Sequence, residues 1–208
     1  MKKIILVLIV TMFALNAQAQ IQTDETPYLF KLGDTKFGGY VAINTKVTDI
    51  KPDIAGIADF KAAITLKGGW AVGFSASGLY YDKKLSKIVN DGTYHLYTGY
   101  AGMFVDKRFE LNKNMNLTMS IFTGRGEAYY RYDKDFRKDK VYYQEYIDKT
   151  EIFITEPSVE LNYRVFGNFW LGINGSYRFS SPVEMIGTDE KYFSNFNAGL
   201  TFKYGLFL

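Results

Sequence analysis

Seven apolar residues occupy every second position of one stretch, Phe196, Ala198, Leu200, Phe202, Tyr204, Leu206 and Leu208, with Asn197, Gly199, Thr201, Lys203 and Gly205 between them. Successive side chains of an extended chain point to opposite faces, so the stretch is a strand with one greasy and one polar side. The period is two rather than 3.6, which excludes an amphipathic helix, and only Phe207 breaks it. Such a strand needs hydrogen-bonding partners on its edges and an apolar surrounding on one face. The remainder of the chain must supply both.

The chain opens with Lys2 and Lys3, followed by the apolar run Ile4 to Leu15 and by Ala17-Gln18-Ala19. That run is too short for an ordinary membrane-spanning helix, and small-x-small after it is the pattern of a signal-peptidase site. The expectation is a signal peptide over residues 1–19 and an exported chain from Gln20. There is no Cys, so neither a lipid anchor on Cys nor a disulfide is indicated, and folding rests on backbone pairing and burial. Beyond the first residues no apolar run is long enough for a membrane helix. A membrane barrel remains open, because there only every second residue faces lipid and the hydropathy signal of each strand is diluted. The 17 Tyr, 17 Phe and 19 Gly, set against 4 Pro, favour an all-β chain. Without Lys2 and Lys3 the 25 Lys and Arg exceed the 22 Asp and Glu by one, which gives no reason to invoke nucleic acid.

Residues 20–36 have no sustained period and are expected to form a mostly irregular periplasmic leader, with a single barrel domain over 37–208. Alternation predicts a first strand over Phe37 to Val47, a second over Ala58 to Lys67 and a third from Trp70 to Tyr81. A fourth runs from Tyr94 to Phe109 with ambiguous facing, and a fifth from Met115 to Ala128. The sixth carries Ile152 and Ile154 at even positions but Val159, Leu161, Tyr163 and Val165 at odd ones. A bulge at Pro157 is the expected reason, since one extra residue flips the facing of a strand and proline donates no ladder hydrogen bond. A seventh runs from Phe169 to Phe179, and the closing strand makes about eight. Gly68-Gly69, Asn112 to Asn114 and Gly167-Asn168 are short turns; the gaps after strands three, five and seven are long and polar, and the first gap is intermediate. Short turns at one end and long loops at the other are the layout of an outer-membrane barrel, with the short turns periplasmic.

Alternation alone does not say which face is inside, and a soluble lipocalin-like barrel turns its apolar face inward. Three features favour the membrane. Aromatic residues collect near the strand ends (Trp70, Phe109 and Phe169; Tyr80, Tyr94, Tyr177 and Phe179), as interfacial girdles do. The polar face is built from Gly, Ser, Thr and Asn, which fit a narrow lumen. The closing strand ends the chain on bulky apolar residues. The expected fold is therefore a single antiparallel transmembrane β-barrel, monomeric, in the outer membrane.

Phe37-Gly38-Gly39-Tyr40, the run from Glu156 to Phe179 and the stretch from Phe196 to Gly205 resemble small outer-membrane β-barrel proteins of the porin-like, OmpA-like or OmpW-like kind, especially those of Bacteroidota. The resemblance implies the fold, an outer-membrane location and recognition of Phe196 to Leu208 by the barrel-insertion machinery. It carries over no catalytic residue.

On the expected lumen face stand Lys46, Asp59, Lys61, Glu160, Arg164, Arg178 and Lys203. Small barrels fill their interiors with side chains, and a buried charge without a partner is costly, so these residues are expected to pair and plug the lumen. A narrow channel for small solutes is the alternative. Lys203 needs an acid such as Asp59 or Glu160. In the long loop region Tyr129 to Glu151, expected as a protruding hairpin, Tyr130, Arg131, Tyr132, Arg137, Lys138, Tyr142 and Tyr143 can grip lipopolysaccharide phosphates, glycans or a partner protein. His95, with Ser86 and Asp91 in the preceding loop, is the one place where His-based lipid A chemistry can fall. Its spacing identifies no triad, and the expectation is no enzyme. One His, no Cys and scattered carboxylates indicate no metal, and no cofactor is called for.

Overall fold

The computed structural model describes residues 28–32, 35–50, 53–81, 94–132, 146–185, 188 and 190–207. Its strands are β1 (Phe30–Leu32), β2 (Thr35–Ile50), β3 (Asp53–Leu66), β4 (Trp70–Tyr81), β5 (Tyr94–Asn112), β6 (Met115–Tyr132), β7 (Tyr146–Phe166), β8 (Phe169–Ser180) and β9 (Asn195–Leu206). Each pairs antiparallel with the next, and β2 also pairs with β9, so β2 to β9 close an all-β ring of eight. Closure is continuous from Gly39 opposite Leu206 to Thr48 opposite Asn197, which leaves no open edge between first and last strands. No helix is present among the described residues.

Facing follows the pleat. On β2, Tyr40, Ala42, Asn44, Lys46 and Thr48 are buried inside while Val41, Ile43 and Val47 are exposed outside. On β9, Asn197, Thr201 and Lys203 are buried and Phe196, Leu200, Phe202 and Tyr204 are exposed. The strand with ambiguous facing, β5, turns Leu96, Thr98, Tyr100, Phe104 and Asp106 inward and Met103, Val105 and Phe109 outward. The outer wall is therefore a band of large apolar side chains.

Three short connections, 67–69, 113–114 and 167–168, lie at one end of the ring, while at the other end β2 and β3 are joined through 51–52 alone. Gly68 and Gly69 have φ of 80° and 77°, and Gly167 has 49°, conformations that glycine adopts without a Cβ clash. The long loops over 82–93 and 133–145, with the expected hairpin tip at Phe136 to Asp139, lie outside the described residues.

The stretch 20–36 holds a short strand near its far end: β1 pairs Phe30 with Phe37, whose rings stack at 4.8 Å. Three residues are too few to display a period, so the strand leaves no trace in the alternation. One expectation is corrected: there is no bulge at Pro157. The β6–β7 register runs unbroken through Ile121 opposite Pro157, and a bulge falls instead at Asp148, the extra residue between the Tyr129–Lys149 and Tyr130–Ile147 pairs, with φ of 57°. Ile152, Ile154, Glu156 and Glu160 all face inward, so what changes along β7 is the lining of the interior, not the facing of the strand.

Candidate functional site

Inward-facing side chains fill the barrel in three tiers. At mid-height the lining is ionic. Lys46 Nζ donates to Glu156 Oε1 at 2.7 Å and lies 3.5 Å from Asp59 Oδ2. Asp59 is also held by Asn44 Nδ2 at 2.8 Å and Ser75 Oγ at 2.5 Å, and Glu156 by Ser176 Oγ at 2.7 Å. A second cluster joins Lys203 Nζ to Glu160 Oε1 at 2.5 Å, with Thr201 Oγ1 donating to Glu160 Oε2 at 2.6 Å. Tyr40 donates to Asp106. These groups are buried, and each carboxylate of the two clusters receives both a lysine and hydroxyl or amide donors, the condition under which buried charge is tolerated.

Toward the long-loop end the interior turns apolar. Ile50, Ile57, Leu79, Leu96, Ile152 and Ile154 pack with Val183, Met185, Tyr192 and Phe193, which come from the β8–β9 connection and fold into the mouth. Arg178 anchors this plug. It is 1% exposed, its Nε donates to the Phe193 carbonyl at 2.8 Å, and its two Nη atoms reach Tyr100 Oη and Thr48 Oγ1 at 3.5 Å. At the short-turn end Phe207, the residue that breaks the closing alternation, packs with Tyr40 and Trp170, its ring centroid 5.6 Å and 5.7 Å from theirs. The Arg108 guanidinium lies over the same ring at 4.7 Å.

Of the charges expected in the lumen, Lys46, Asp59, Glu160, Arg178 and Lys203 are buried there, and the pairs Lys46–Asp59 and Lys203–Glu160 are brought together. Lys61 is half-buried with Nζ 4.9 Å from the Phe104 ring. Arg164 is not in the lumen proper: it is exposed at the short-turn rim, 5.0 Å above the Trp170 ring. Sequence reasoning missed Glu156, Asp106 and Tyr40. Glu156 stands four residues before Glu160 on the same face, and the assumed bulge hid it.

Of the loop set, Tyr130 is withdrawn from any surface role, because its ring is turned inward and is 0% exposed. The side chains of Arg131 and Tyr132, and all of Arg137, Lys138, Tyr142 and Tyr143, lie outside the described residues. So do Ser86, Asp91 and the His95 side chain; the His95 backbone pairs with Arg131. Strands β6 and β7 extend well beyond the end of β8, which pairs only as far as Ile154 with Ser180. Their outer faces there carry Arg125, Glu127, Lys149 and Glu151, with Lys149 Nζ 2.7 Å from Glu127 Oε1. The apolar outer band thus gives way to charge at this end. Tyr177 marks the change, its ring 4.6 Å from both Phe179 and Phe196.

The whole arrangement is similar to solved barrels. The β-barrel domain of OprF from Pseudomonas aeruginosa superposes with a TM-score of 0.50 at 9% identity, over 81% of this chain and 96% of that one. Neisserial surface protein A superposes with a TM-score of 0.53 at 10% identity, over 83% of this chain and 97% of that one. The fold is that of these small outer-membrane β-barrels. No protein-family profile and no curated protein sequence matches the chain. At these identities the barrel's likeness to OprF and the Neisserial protein extends to architecture and not to ligands.

Proposed function

We propose that the protein is an outer-membrane barrel without enzymatic activity that closes its own lumen and acts through its long-loop end, in a structural or surface-interaction role. The observation that carries this reading is the filled interior: ion pairs at mid-height, an apolar plug above and an aromatic closure below. A barrel of eight strands has room for side chains and little else. The charged outer faces of β6 and β7 above the apolar band supply donors and acceptors for lipopolysaccharide phosphates and sugars. Folding through the insertion machinery by way of Phe196 to Leu208 fits a closing strand whose outer face is apolar throughout.

Two measurements test the reading. The refolded protein in planar bilayers is expected to leave conductance at baseline; stepwise ionic currents would replace the closed scaffold by a channel. Membrane fractionation is expected to recover the protein with the outer membrane, showing heat-dependent gel mobility. Recovery from the periplasm without detergent would overturn the location.

A further inference from the structure

The described residues of the two barrel rims differ in charge. Among the described residues, the short-turn end carries Lys31 and Lys36 on the β1–β2 hairpin, Lys67 and Lys113 in turns, and Lys107, Arg108 and Arg164 at strand ends, against Glu110 alone. Glu110 is engaged by Arg108 Nη2 at 3.1 Å. At the opposite end the described residues are mostly acidic, with Asp49, Glu127, Asp148, Glu151, Glu184 and Glu190 against Arg125, Lys149 and Lys191.

The basic rim adjoins an unusual piece of the outer wall. Strand β1 overhangs it, with Leu29, Phe30 and Leu32 exposed. Leu29 covers Gly39 so closely that a Cβ there would meet its Cδ1 at 2.4 Å. Beneath lies a groove of about 1020 Å³, walled by Leu29 and Phe30 on one side and by Val41, Ala62, Ile64 and Phe74 on the other. Val41, Ile64 and Phe74 belong to the exposed apolar band, so the groove opens onto the surface that faces lipid. Its short-turn margin is Leu66, followed directly by Lys67, and Lys107 Nζ donates to the Gly68 carbonyl at 2.6 Å in the same turn. Lysines placed on rings, as Lys107 is over Trp70 at 4.8 Å and Lys36 over Tyr28 at 5.1 Å, sit at the boundary between apolar wall and water, where headgroups lie.

We infer that this groove is a binding site for an anionic phospholipid, an acyl chain lying under β1 and the phosphate meeting the lysines of the short-turn rim. Apolar walls alone would accept any lipid chain; the charge complementarity selects the headgroup. The inference rests on the membrane placement proposed above.

Its test uses the full chain refolded in detergent micelles, with folding verified by heat-dependent mobility, and native mass spectrometry of retained lipid. Dipalmitoylphosphatidylglycerol is expected to be retained at least about ten-fold over dipalmitoylphosphatidylcholine, since each rim lysine favours an anionic surface. The combined change Lys31→Gln, Lys36→Gln and Lys67→Gln is expected to erase that preference and leave phosphatidylcholine retention unchanged. Ala62→Trp, which fills the groove from its floor, is expected to lower retention of both lipids. Inorganic phosphate, the probe without chains, is expected not to compete. Equal retention of the two lipids by the parent chain overturns the inference, as does a preference that survives the triple change, phosphatidylglycerol retention untouched by Ala62→Trp, or competition by phosphate. A lipid-free dimer that Ala62→Trp dissolves would seat a second copy in the groove and also overturn it. Each of these failures leaves the fractionation result standing, so the site and the location are judged separately.

Discussion

Lys46 on β2 and Glu156 on β7 meet at 2.7 Å although their strands are not neighbours in the ring. The contact is a strut across the lumen rather than a rung between adjacent strands. Sheet hydrogen bonds set the circumference of such a barrel but leave its cross-section free to flatten. A short ionic contact between opposite walls restrains that flattening.

Breaking the strut from one side strands a buried ammonium with Asp59 at 3.5 Å as its remaining acid. Glu156→Gln is therefore expected to lower stability by about 3 kcal/mol, at the lower end of the cost of an unpaired buried charge. Lys46→Met combined with Glu156→Met and Asp59→Asn is expected to recover most of that loss, because no charge of the cluster is then left buried. Urea unfolding of the protein in lipid vesicles, followed by tryptophan fluorescence, measures both. A triple variant as unstable as the single one would mean that packing volume, not charge, is what matters there.

Gly68 and Gly69, adjacent in the β3–β4 turn, differ in surroundings though not in backbone. At Gly68 a Cβ would meet nothing within 4 Å, whereas at Gly69 it would meet the Arg108 carbonyl oxygen at 2.5 Å. Gly68→Ala should cost about 1 kcal/mol, the conformational penalty alone. Gly69→Ala should cost more than about 2 kcal/mol, because the β5 backbone must also shift. The same vesicle unfolding assay ranks them, and equal costs would contradict the close approach.

Phe193 is the innermost residue of the plug at 1% exposure, and its carbonyl accepts from Arg178. Phe193→Ala should cost about 3–5 kcal/mol through lost burial and the cavity left behind. Loosening should be local to the β8–β9 connection. Limited proteolysis is expected to cut the variant between Ser181 and Ser194 under conditions that leave the parent chain whole.

Much of the wall was legible in the sequence because a pleat records facing directly. Trp70 to Tyr81 has the bounds that its alternation indicates, ended by Gly68-Gly69 on one side. Depth along the lumen leaves no such record. Ile152 and Ile154 are as apolar as lipid-facing residues, yet they line the plug, so an apolar interior reads as a flipped strand. The same pattern suggests a bulge at Pro157 and conceals Glu156. Partners across the lumen, such as Lys46 with Glu156, depend on ring closure and barrel diameter, which no local pattern contains. Arg164 shows the complementary error: its facing is inward, but it stands so near the strand end that it reaches water.

The chain contains two tryptophans, and they report opposite sides of the wall. Trp70 is 48% exposed on the outer face and Trp170 is 4% exposed inside. In vesicles of phospholipid brominated near the headgroup end of its acyl chains, Trp170→Phe, which keeps Trp70, is expected to lose much of its fluorescence to contact with bromine. Trp70→Phe, which keeps Trp170, is expected to stay bright, since the wall of the barrel and Phe207 stand between that ring and lipid. Bromine quenches through contact, so the difference reports facing and not merely depth. If the apolar face were turned away from lipid, as in a soluble barrel that merely adheres to vesicles, Trp70 would be spared as well. Quenching of Trp70 alone is thus the outcome that ties the outward face of β4 to the bilayer.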